Sequence, residues 1–323
     1  MSNPLASVIV VYRRSDYLGR CLESLEDQTI GNLEIFVIDH CDDLRVRREL
    51  GQRFPRAQWL AEGSRDAYGA ALNAGIRKST GEFVLCLNDD TSLDKHFIAE
   101  ALEAFSREAG IGSVSGKVLR MDGVTLDSTG LFLSLFLTAR ERGYGRRDKG
   151  QFDRPGYVFG VTGAVAFYRR RMLDDIREDD YFDRDFGCFY EDLDVAWRAH
   201  RRGWKAYYTP RARAYHWRGG TVRQAGGAGQ KWARRFLGLP LQEELVKNRY
   251  LAVIKNEPLF GFVLRLPFAI CYDAMVWAYI VLFRPRLLGR MVRHFSLFCA
   301  AAARAYRQRG RQRKGPGADA PFL

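Results

Sequence analysis

Apolar and polar positions in the first hundred residues alternate in the order strand, helix, strand, helix, strand. Three runs rich in β-branched and aromatic residues, at 7–12, 34–39 and 82–87, have the length and composition of buried strands. Apolar residues recur at helical spacing over 18–25, 67–78 and 97–105. This alternation predicts an α/β fold with a doubly wound sheet of the nucleotide-binding type.

The pattern is weaker in the second hundred residues. Residues 121–155 are rich in glycine and charge and predict a long ordered loop over the sheet edge. Strand character returns at 157–168, a helix is expected at 193–200, and a short strand is expected at 205–209. Beyond this point only helices are predicted, so we expect one α/β domain over 1–225 and a helical region over 226–323.

Composition narrows the class of protein. A chain of 323 residues with 47% hydrophobic residues fits one large α/β domain with an appendage. Its six cysteines form no CxxC pair, which argues against a disulfide scaffold or a structural zinc site and favours a reducing compartment. The N-terminal apolar run at 6–12 is too short for a signal sequence and is interpreted as the first strand. The net charge of +13 is compatible with nucleic acid, an anionic membrane surface or phosphorylated substrates.

Most of this charge lies in the tail. Residues 274–317 contain ten Arg or Lys and no acid, interleaved with large apolar residues. This composition predicts amphipathic helices on an anionic leaflet, and the alternative is a helical dimer or packing domain with a solvated basic end. The preceding apolar stretch, 258–283, is interrupted by Arg265, Pro267 and Asp273, so we expect it to lie in the membrane interface and not to span the bilayer.

Polar residues follow three of the predicted strands, at Tyr12, at Asp39 and in the run Asn88-Asp89-Asp90. Ligands of doubly wound sheets bind at the carboxyl ends of the strands, so these groups are expected along one edge. Adjacent carboxylates such as Asp89 and Asp90 need a compensating cation, and Mg²⁺ or Mn²⁺ held together with a diphosphate suits them. Alternatively, Asp90 caps the next helix. Asp39 would bind a base or a ribose, or form a turn.

Glu191 and Asp192 open a predicted helix directly after the aromatic residues Phe189 and Tyr190. An acid held between aromatic rings and an apolar helix face is suited to act as a general base with a shifted pKa. The alternative is that both acids only complement the helix dipole. Asp194 is interpreted as a solvated helix residue.

His216 stands in the segment AYHWRGGT, between a strand-like run and a pair of glycines. A single histidine is usually structural, but a neutral imidazole could complete a metal site begun by Asp90. Arg218 with Gly219 and Gly220 would then form a cationic loop that closes over a diphosphate.

The order and spacing of these segments resemble glycosyltransferase family 2, the inverting enzymes of GT-A fold. The resemblance covers about residues 6–221 and rests on the segments SVIVVYRRSDYLGRCLESLEDQT, LEIFVIDHCDD, ALNAGIRKSTGEFVLCLNDD, GVTGAVAFYRRRML and FDRDFGCFYEDLDVAWRAHRRGWKAYYTPRARAYHWRGGT. Within the family, DSTG at 127–130, GYGRRDKGQFD and VKNRYLAVIKN are similar to rhamnosyltransferase-like enzymes of bacterial surface polysaccharide assembly.

The resemblance implies a set of donor contacts, which are Tyr12, Asp39, Arg65, Asn73, Asp89 and Asp90. It also implies that a divalent metal, Mg²⁺ or Mn²⁺, is bound by Asp90 and His216. Asn88 departs from the first acid of the family's DxD motif. This departure removes one negative charge, which predicts a low metal affinity and leaves Asp89 to support the metal from outside its ligand set or to bind sugar.

The resemblance makes Asp192 the catalytic base with Glu191 beside it, and it implies an acceptor site at Gly163, Ala164 and Tyr190. Asp192 would take the proton of an acceptor hydroxyl as the oxygen attacks the anomeric carbon, in one inverting displacement. The implied donor is dTDP-rhamnose, with UDP sugars as the alternative, and the acceptor is a glycan or a lipid-linked glycan. A lipid-linked acceptor implies a peripheral enzyme at the cytoplasmic face of the plasma membrane.

Three other classes of protein are disfavoured. A nucleic-acid binder would carry aromatic residues on basic platforms, whereas the aromatic residues here lie mainly in apolar runs. A sugar-phosphate nucleotidyltransferase would need a glycine-rich phosphate loop after the first strand, and VVYRRSD contains no glycine. A non-catalytic membrane scaffold would not need Asp90, Asp192 and His216 together. We therefore expect a nucleotide-sugar-dependent hexosyltransferase without a nucleic-acid partner.

Overall fold

The computed structural model describes residues 5–13, 16–41, 43–61, 68–218 and 237–312, with side chains through residue 307. These residues belong to two compact units. The first unit comprises the chain up to residue 133 together with 139–237, and the second comprises 134–138 together with the chain from residue 238 onward. The boundary predicted at residue 225 falls outside the described residues.

The described part of the first unit contains twelve strands and six helices. In chain order they are β1 (Ala6–Tyr12), α1 (Leu18–Glu26), β2 (Leu33–Asp39), α2 (Leu44–Arg53), β3 (Ala57–Ala61), α3 (Tyr68–Lys78), β4 (Phe83–Asn88), β5 (Thr91–Leu93), α4 (Phe97–Ser106), β6 (Ile111–Arg120), β7 (Leu126–Ser128), β8 (Leu131–Leu133), β9 (Ala139–Glu141), β10 (Gly156–Val158), β11 (Val165–Arg169), α5 (Arg170–Ile176), α6 (Glu191–Arg201) and β12 (Lys205–His216). The strands and helices predicted in the first hundred residues agree with these bounds to within one residue.

Ten of the strands form one mixed sheet. Its path is β10-β12-β6-β11-β4-β1-β2-β3, with β5 paired to β12 and β7 paired to β6. Strands β1 to β4 pair in parallel, and β11 runs antiparallel between β4 and β6. The register puts Tyr12 opposite Asp39 and Val11 opposite Asn88, so the polar strand ends share one edge of the sheet, as predicted.

Successive residues of the central strands pack on opposite faces of the sheet. On one face Val10 belongs to the apolar cluster of Leu22 in α1 and Phe97 in α4. On the other face Ile9 belongs to the cluster of Leu72 in α3. Because both faces are covered, the strands are apolar along their whole length, and burial of each aliphatic side chain contributes about 1.5–3 kcal/mol. Polar chemistry is therefore concentrated at the strand ends.

The second hundred residues depart from the sequence prediction. The expected loop at 121–155 contains β7, β8 and β9, each of three residues, which is too short for an alternating pattern to be visible. The single strand expected at 157–168 is two strands, β10 and β11, because the glycine-containing segment between them leaves the sheet. The short strand expected at 205–209 extends to His216, with Arg211 and Arg213 exposed and the alanines beside them buried.

Four helices form the described part of the second unit: α7 (Leu239–Asn256), α8 (Leu259–Phe283), α9 (Pro285–Arg293) and α10 (Phe295–Gln312). Ile280, Leu287 and Met291 form an apolar cluster against which Tyr250 and Phe298 pack. The helical character predicted for this region is confirmed over these residues.

Helix α8 is continuous through Pro267, although the sequence predicts that this proline interrupts the apolar stretch. Its two charged residues are paired within the second unit, Arg265 with Glu257 at 2.7 Å and Asp273 with Arg249 at 2.6 Å. Among the described residues it is the one helix long and apolar enough, by length and composition, to cross a membrane. Its exposed large apolar side chains are Leu259, Phe260, Val263, Leu264, Phe268, Ile270, Met275, Val281, Leu282 and Phe283.

Candidate active site

The ends of β1 and β2 form the first part of the site. Tyr12 and Asp39 lie opposite each other, and both are almost completely buried. Asp39 Oδ1 accepts a hydrogen bond of 2.8 Å from the backbone N–H of Cys41. Burial, together with Cys41 and the nearby acidic side chains, raises the pKa of Tyr12 to about 12, so its hydroxyl stays a neutral donor at physiological pH.

Asp89 and Asp90, which follow β4, contact different segments of the chain. The backbone N–H of Arg13 donates to Asp89 Oδ2 at 2.9 Å, which ties the end of β1 to the pair. Asp90 Oδ1 lies 3.2 Å from His216 Nε2, and the Asp90 carbonyl accepts the backbone N–H of Trp217 at 2.9 Å. The pairing of β5 with the end of β12 thus brings Asp90 and His216 together.

A third carboxylate, Asp127, holds the other side of His216. Asp127 Oδ2 lies 2.8 Å from Nδ1 of the imidazole, and Oδ1 accepts a hydrogen bond from Arg218 Nε. Burial opposes ionisation of Asp127, but the His216 hydrogen bond and the Arg218 charge outweigh it and hold the pKa of Asp127 below its usual value. Burial likewise opposes the imidazolium, yet the hydrogen bonds to Asp127 and Asp90 raise the pKa of His216 to about 9. The cluster therefore pairs two cationic side chains with two acids.

Asp192 is held differently, by backbone amides. The N–H of Gly163 donates to Oδ2 at 2.9 Å, and the N–H of Leu193 donates to Oδ1 at 2.7 Å. Burial raises the pKa of Asp192 above its usual value, and these amides offset the effect only in part. A half-buried carboxylate with a raised pKa is suited to accept a proton from a substrate hydroxyl.

The turn that leads into Asp192 is strained. Phe189 and Tyr190 have φ angles of 73° and 71°, in the left-handed region that residues other than glycine rarely adopt. Such conformations cost on the order of 1–3 kcal/mol each and persist where surrounding contacts impose them. The Tyr190 carbonyl accepts the backbone N–H of Asp194 at 2.9 Å, so the strained turn fixes the start of the helix that carries Asp192.

The loop between β10 and β11 approaches α6 closely. A Cβ on Gly163 would lie 3.3 Å from Asp192 Oδ2, and a Cβ on Gly160 would lie 2.6 Å from the Ala196 Cβ. Gly160 therefore has no room for a larger side chain, whereas a Cβ at Gly163 would require the Asp192 carboxylate to shift slightly. The Ala164 carbonyl accepts the backbone N–H of Asn88 at 3.0 Å, which ties the loop to the acidic end of β4.

Asn73 and Glu191 have surroundings that the sequence did not indicate. Asn73 is fully buried and exchanges hydrogen bonds of 2.7 and 2.8 Å with the backbone of Phe182, so its amide is committed to the fold. Glu191 is also buried. Arg65 lies outside the described residues, as do Gly219 and Gly220.

The expected solvation of Asp194 is wrong. Asp194 is 1% exposed and accepts a hydrogen bond of 2.8 Å from Arg198, one helical turn later. Arg198 also donates to the carbonyls of Ile176 and Tyr181, at 2.9 and 2.7 Å. This face of α6 is therefore packed inward, and the ion pair anchors the helix that begins with the candidate base.

Sequence reasoning gave no site role to Asp127, Glu141 or Thr162. Glu141 accepts hydrogen bonds from Ser128 and from Thr162, the latter at 2.9 Å. Loss of solvent raises the pKa of Glu141 to about 7. The acid and small polar residues of DSTG were a signal for Asp127, but Glu141 lies in a strand too short to be predicted.

Comparisons with known proteins identify the family. The model described as Glycosyltransferase like family 2 matches residues 3–234. The chain therefore belongs to glycosyltransferase-like family 2, which confirms the family expected from the sequence.

Individual relatives are distant. Poly-beta-1,6-N-acetyl-D-glucosamine synthase of Staphylococcus epidermidis is 24% identical over 212 residues, covering 66% of this chain and 47% of the relative. The chain thus spans about half the length of the first curated relatives that it matches. The structure of S. aureus TarS 1–349 in complex with UDP-GlcNAc has a TM-score of 0.57 at 14% identity and covers 92% of this chain and 81% of that one.

A second solved structure, GalNAc-T7 with UDP, GalNAc and Mn²⁺, has a TM-score of 0.58 at 14% identity. It covers 78% of this chain and 48% of that chain. These likenesses confirm the GT-A fold expected for the first unit, with its mixed sheet and helices on both faces.

Proposed function

We propose that this chain is an inverting glycosyltransferase of bacterial surface polysaccharide synthesis. It moves a sugar from a pyrimidine nucleoside diphosphate to a hydroxyl of a glycan or lipid-linked glycan. The observation that carries the proposal is the presence, at one sheet edge, of two acids held in opposite ways: Asp90 against His216, and Asp192 against the amide of Gly163. The first arrangement suits a metal-bridged diphosphate, and the second suits a general base.

The residues around Asp90 fit a divalent metal. Asp90 Oδ1 and His216 Nε2 lie 3.2 Å apart, and a divalent ion bound by both would take the place of the proton that His216 carries on Nε2 when no metal is bound. Asp127 accepts a hydrogen bond from Nδ1 of His216. A carboxylate bound to the ring nitrogen that does not face the metal is typical of metal-binding histidines. Within the described ranges no group of three or more His, Cys, Asp or Glu side chains is arranged for a metal, so we infer that diphosphate oxygens complete the ligand set. A bound Mg²⁺ or Mn²⁺ stabilises negative charge on the departing diphosphate, and the Mn²⁺ in the GalNAc-T7 structure supports this choice.

The proton chemistry is assigned to Asp192. Its carboxylate accepts the proton of the acceptor hydroxyl while that oxygen bonds to the anomeric carbon and the bond to the diphosphate oxygen breaks. The hydrogen bond from Gly163 holds one carboxylate oxygen, and the strained Phe189-Tyr190 turn fixes the start of α6. A single displacement inverts the anomeric centre and needs no carboxylate nucleophile.

Two donors are proposed. The likeness of DSTG and VKNRYLAVIKN to rhamnosyltransferase-like segments favours dTDP-rhamnose, whereas the likeness to TarS bound to UDP-GlcNAc favours UDP-GlcNAc. Both are pyrimidine nucleotides, and the pair of Tyr12 and Asp39 at the ends of β1 and β2 offers a neutral hydroxyl donor and a carboxylate acceptor for such a nucleoside.

The donor assignment is tested by thermal shift of the full chain with a panel of nucleotide sugars, each with and without Mn²⁺. We expect dTDP-rhamnose or UDP-GlcNAc to stabilise the protein only with the metal, by about 2.7 kcal/mol at a ligand concentration one hundred times Kd. Stabilisation by neither compound, together with no metal-dependent hydrolysis of any donor, contradicts the proposed function.

We also propose that the second unit holds the enzyme at the cytoplasmic face of the plasma membrane. The support is the row of exposed apolar side chains on α8, including Phe260 and Leu282 at 77% and 70% exposure, followed by the basic tail. Exposed apolar residues next to a run of cations are typical of attachment to anionic lipid.

Co-sedimentation with phosphatidylglycerol vesicles tests this attachment. The full chain should sediment, and a variant with Phe260→Glu and Leu282→Glu should stay in solution. Phe132→Glu is the matched control, since Phe132 is an exposed apolar residue of the first unit. A wild-type chain that forms dimers and never sediments with vesicles supports the alternative, a helical dimer.

A further inference from the structure

The side chain of Glu141 joins two parts of the candidate site. Ser128 Oγ donates to one carboxylate oxygen, and Thr162 Oγ1 donates to the other at 2.9 Å. Ser128 directly follows Asp127, which holds His216, and Thr162 directly precedes Gly163, whose amide holds Asp192. One carboxylate in a short strand therefore connects the side of the site that carries His216 to the side that carries Asp192.

The backbone around Glu141 contacts the same loop. Glu141 pairs across the β8–β9 hairpin with Leu131. Leu131 in turn donates its N–H to the Gly160 carbonyl at 2.9 Å and accepts the N–H of Phe159 at 3.2 Å. The loop from 159 to 164 has no strand of its own. Its position therefore depends on the hairpin on one side and on α6, against which Gly160 packs, on the other.

Charged groups of three other elements face Glu141. Loss of solvent raises the pKa of Glu141 to about 7, the charge of Arg218 opposes this rise, and the carboxylates of Asp192 and Asp127 add to it. The side chain is half-buried, so it lies at the boundary between the protein interior and the site. Its location places it within electrostatic range of the candidate base.

We propose that Glu141 is a positioning residue for Asp192: it fixes Thr162 so that the Gly163 amide keeps its hydrogen bond to the base. The inference rests on the proposed function for the role of Asp192, but the geometric part can be measured without turnover. Loss of the Glu141 carboxylate releases Thr162, loosens the Gly163 amide and lets the Asp192 carboxylate leave its productive orientation. The Thr162 side of this connection does not include Asp127 or His216, so Thr162→Val tests the positioning of Asp192 separately from the Ser128 side.

The test compares Glu141→Ala, Thr162→Val, the double variant and the control Arg140→Ala. Arg140 is the exposed neighbour of Glu141 on the same strand. We expect kcat to fall about tenfold in Glu141→Ala with the donor KM unchanged, because small misplacements of a base are costly. The kcat of Thr162→Val should fall by a similar factor, and the kcat of the double variant should be no lower than that of Glu141→Ala. Glu141→Gln should recover most of kcat, since a glutamine can still bond both hydroxyls.

Amide hydrogen exchange at Gly163 supplies the readout that needs no activity. Exchange of this amide should become about tenfold faster in Glu141→Ala and in Thr162→Val, and it should stay unchanged in Arg140→Ala. Unchanged exchange in both variants, or a rise in donor KM in place of the fall in kcat, overturns the proposal. If Glu141→Ala unfolds, protection is lost across the whole sheet, and the isosteric Thr162→Val variant then decides. Faster exchange in a protein whose wild type transfers no sugar would retain the positioning role and remove the proposed function.

Discussion

Two aspartates of the site, Asp127 and Asp192, are surrounded by different kinds of partners. Asp127 is enclosed by the cations His216 and Arg218, and its pKa lies below the usual value of an aspartate. Asp192 is held by the amides of Gly163 and Leu193, and its pKa lies above that value. Both lose much of their hydration, so the partner decides the outcome: full counter-charges keep a carboxylate ionised, whereas neutral dipoles compensate burial only in part.

This difference separates the two chemical tasks. A permanently ionised Asp127 can orient the histidine that meets Asp90, which suits a site for a cation. An Asp192 with a raised pKa accepts a proton more readily than an exposed aspartate, which suits a base. The fold builds the first part from side chains of separate strands and the second part from the glycine loop and the start of α6.

The largest expected effect is on stability, from Asp127→Asn. Removing this charge leaves His216 and Arg218 buried without their shared partner, and breaking such a group costs about 3–5 kcal/mol. Because the folded-state pKa of Asp127 is lowered, the stability it contributes is present above its unfolded pKa and is lost as the pH falls. Chemical denaturation at pH 7 and at acidic pH checks this, and a gap between wild type and variant that does not narrow in acid would contradict it.

Asp192→Asn should have the largest effect on catalysis and little cost in stability. We expect kcat to fall on the order of 10²-fold or more, because Asp192 is the group assigned to take the proton. An asparagine removes the cost of a buried ionised carboxylate, but it can accept a hydrogen bond from only one of the two backbone amides, so we expect a small net change in unfolding temperature. Steady-state kinetics and thermal unfolding at pH 7 measure both, with donor binding as the control for folding. Turnover at the wild-type rate would remove the base assignment.

Asp90→Asn and His216→Gln should weaken metal binding and should not impair proton transfer by Asp192. Each should weaken Mn²⁺-dependent donor binding by roughly 10–100-fold, since the first removes a carboxylate charge and the second removes an imidazole nitrogen. Asp192→Asn is the matched variant that should keep this binding. Titration of Mn²⁺ in the presence of the nucleoside diphosphate measures the difference, and equal metal affinity in all three variants would show that the pair 3.2 Å apart is not the metal site.

Gly163→Ala should give the smallest of these effects. The added Cβ would lie 3.3 Å from Asp192 Oδ2, so the carboxylate must shift by a few tenths of an ångström. We expect kcat to fall about tenfold while donor binding is retained. Gly156→Ala is the control on β10, because a Cβ there meets nothing within 4 Å. An equal loss in both variants would indicate a general effect on folding and not a displaced base.

Sequence patterns predicted three of the four parallel strands β1 to β4 and several of their polar ends, but they missed β3 and the helix α2 that precedes it. The runs at β1, β2 and β4 are buried on both faces, so their composition alone marks them as strands, and parallel strands must end at one edge. The candidate site residues Asp90 and Asp192 are also predictable, because acids after strands and at helix starts are local features, and the family resemblance adds His216. The burial of Asp194 is not predictable in this way, because it depends on the packing of α6 against the segments of Ile176 and Tyr181.

Local sequence patterns are sufficient to predict an α/β sheet with acids at its edge, followed by basic, apolar helices. The tertiary structure was needed to show which acid is surrounded by cations and which by backbone amides, because a pKa depends on the dipoles and charges that distant segments bring within hydrogen-bonding range. Glu141 illustrates the limit: its strand has three residues, and its partners Ser128 and Thr162 come from two other elements. Such contacts follow from strand pairing across the sheet, and no local pattern along the chain encodes them.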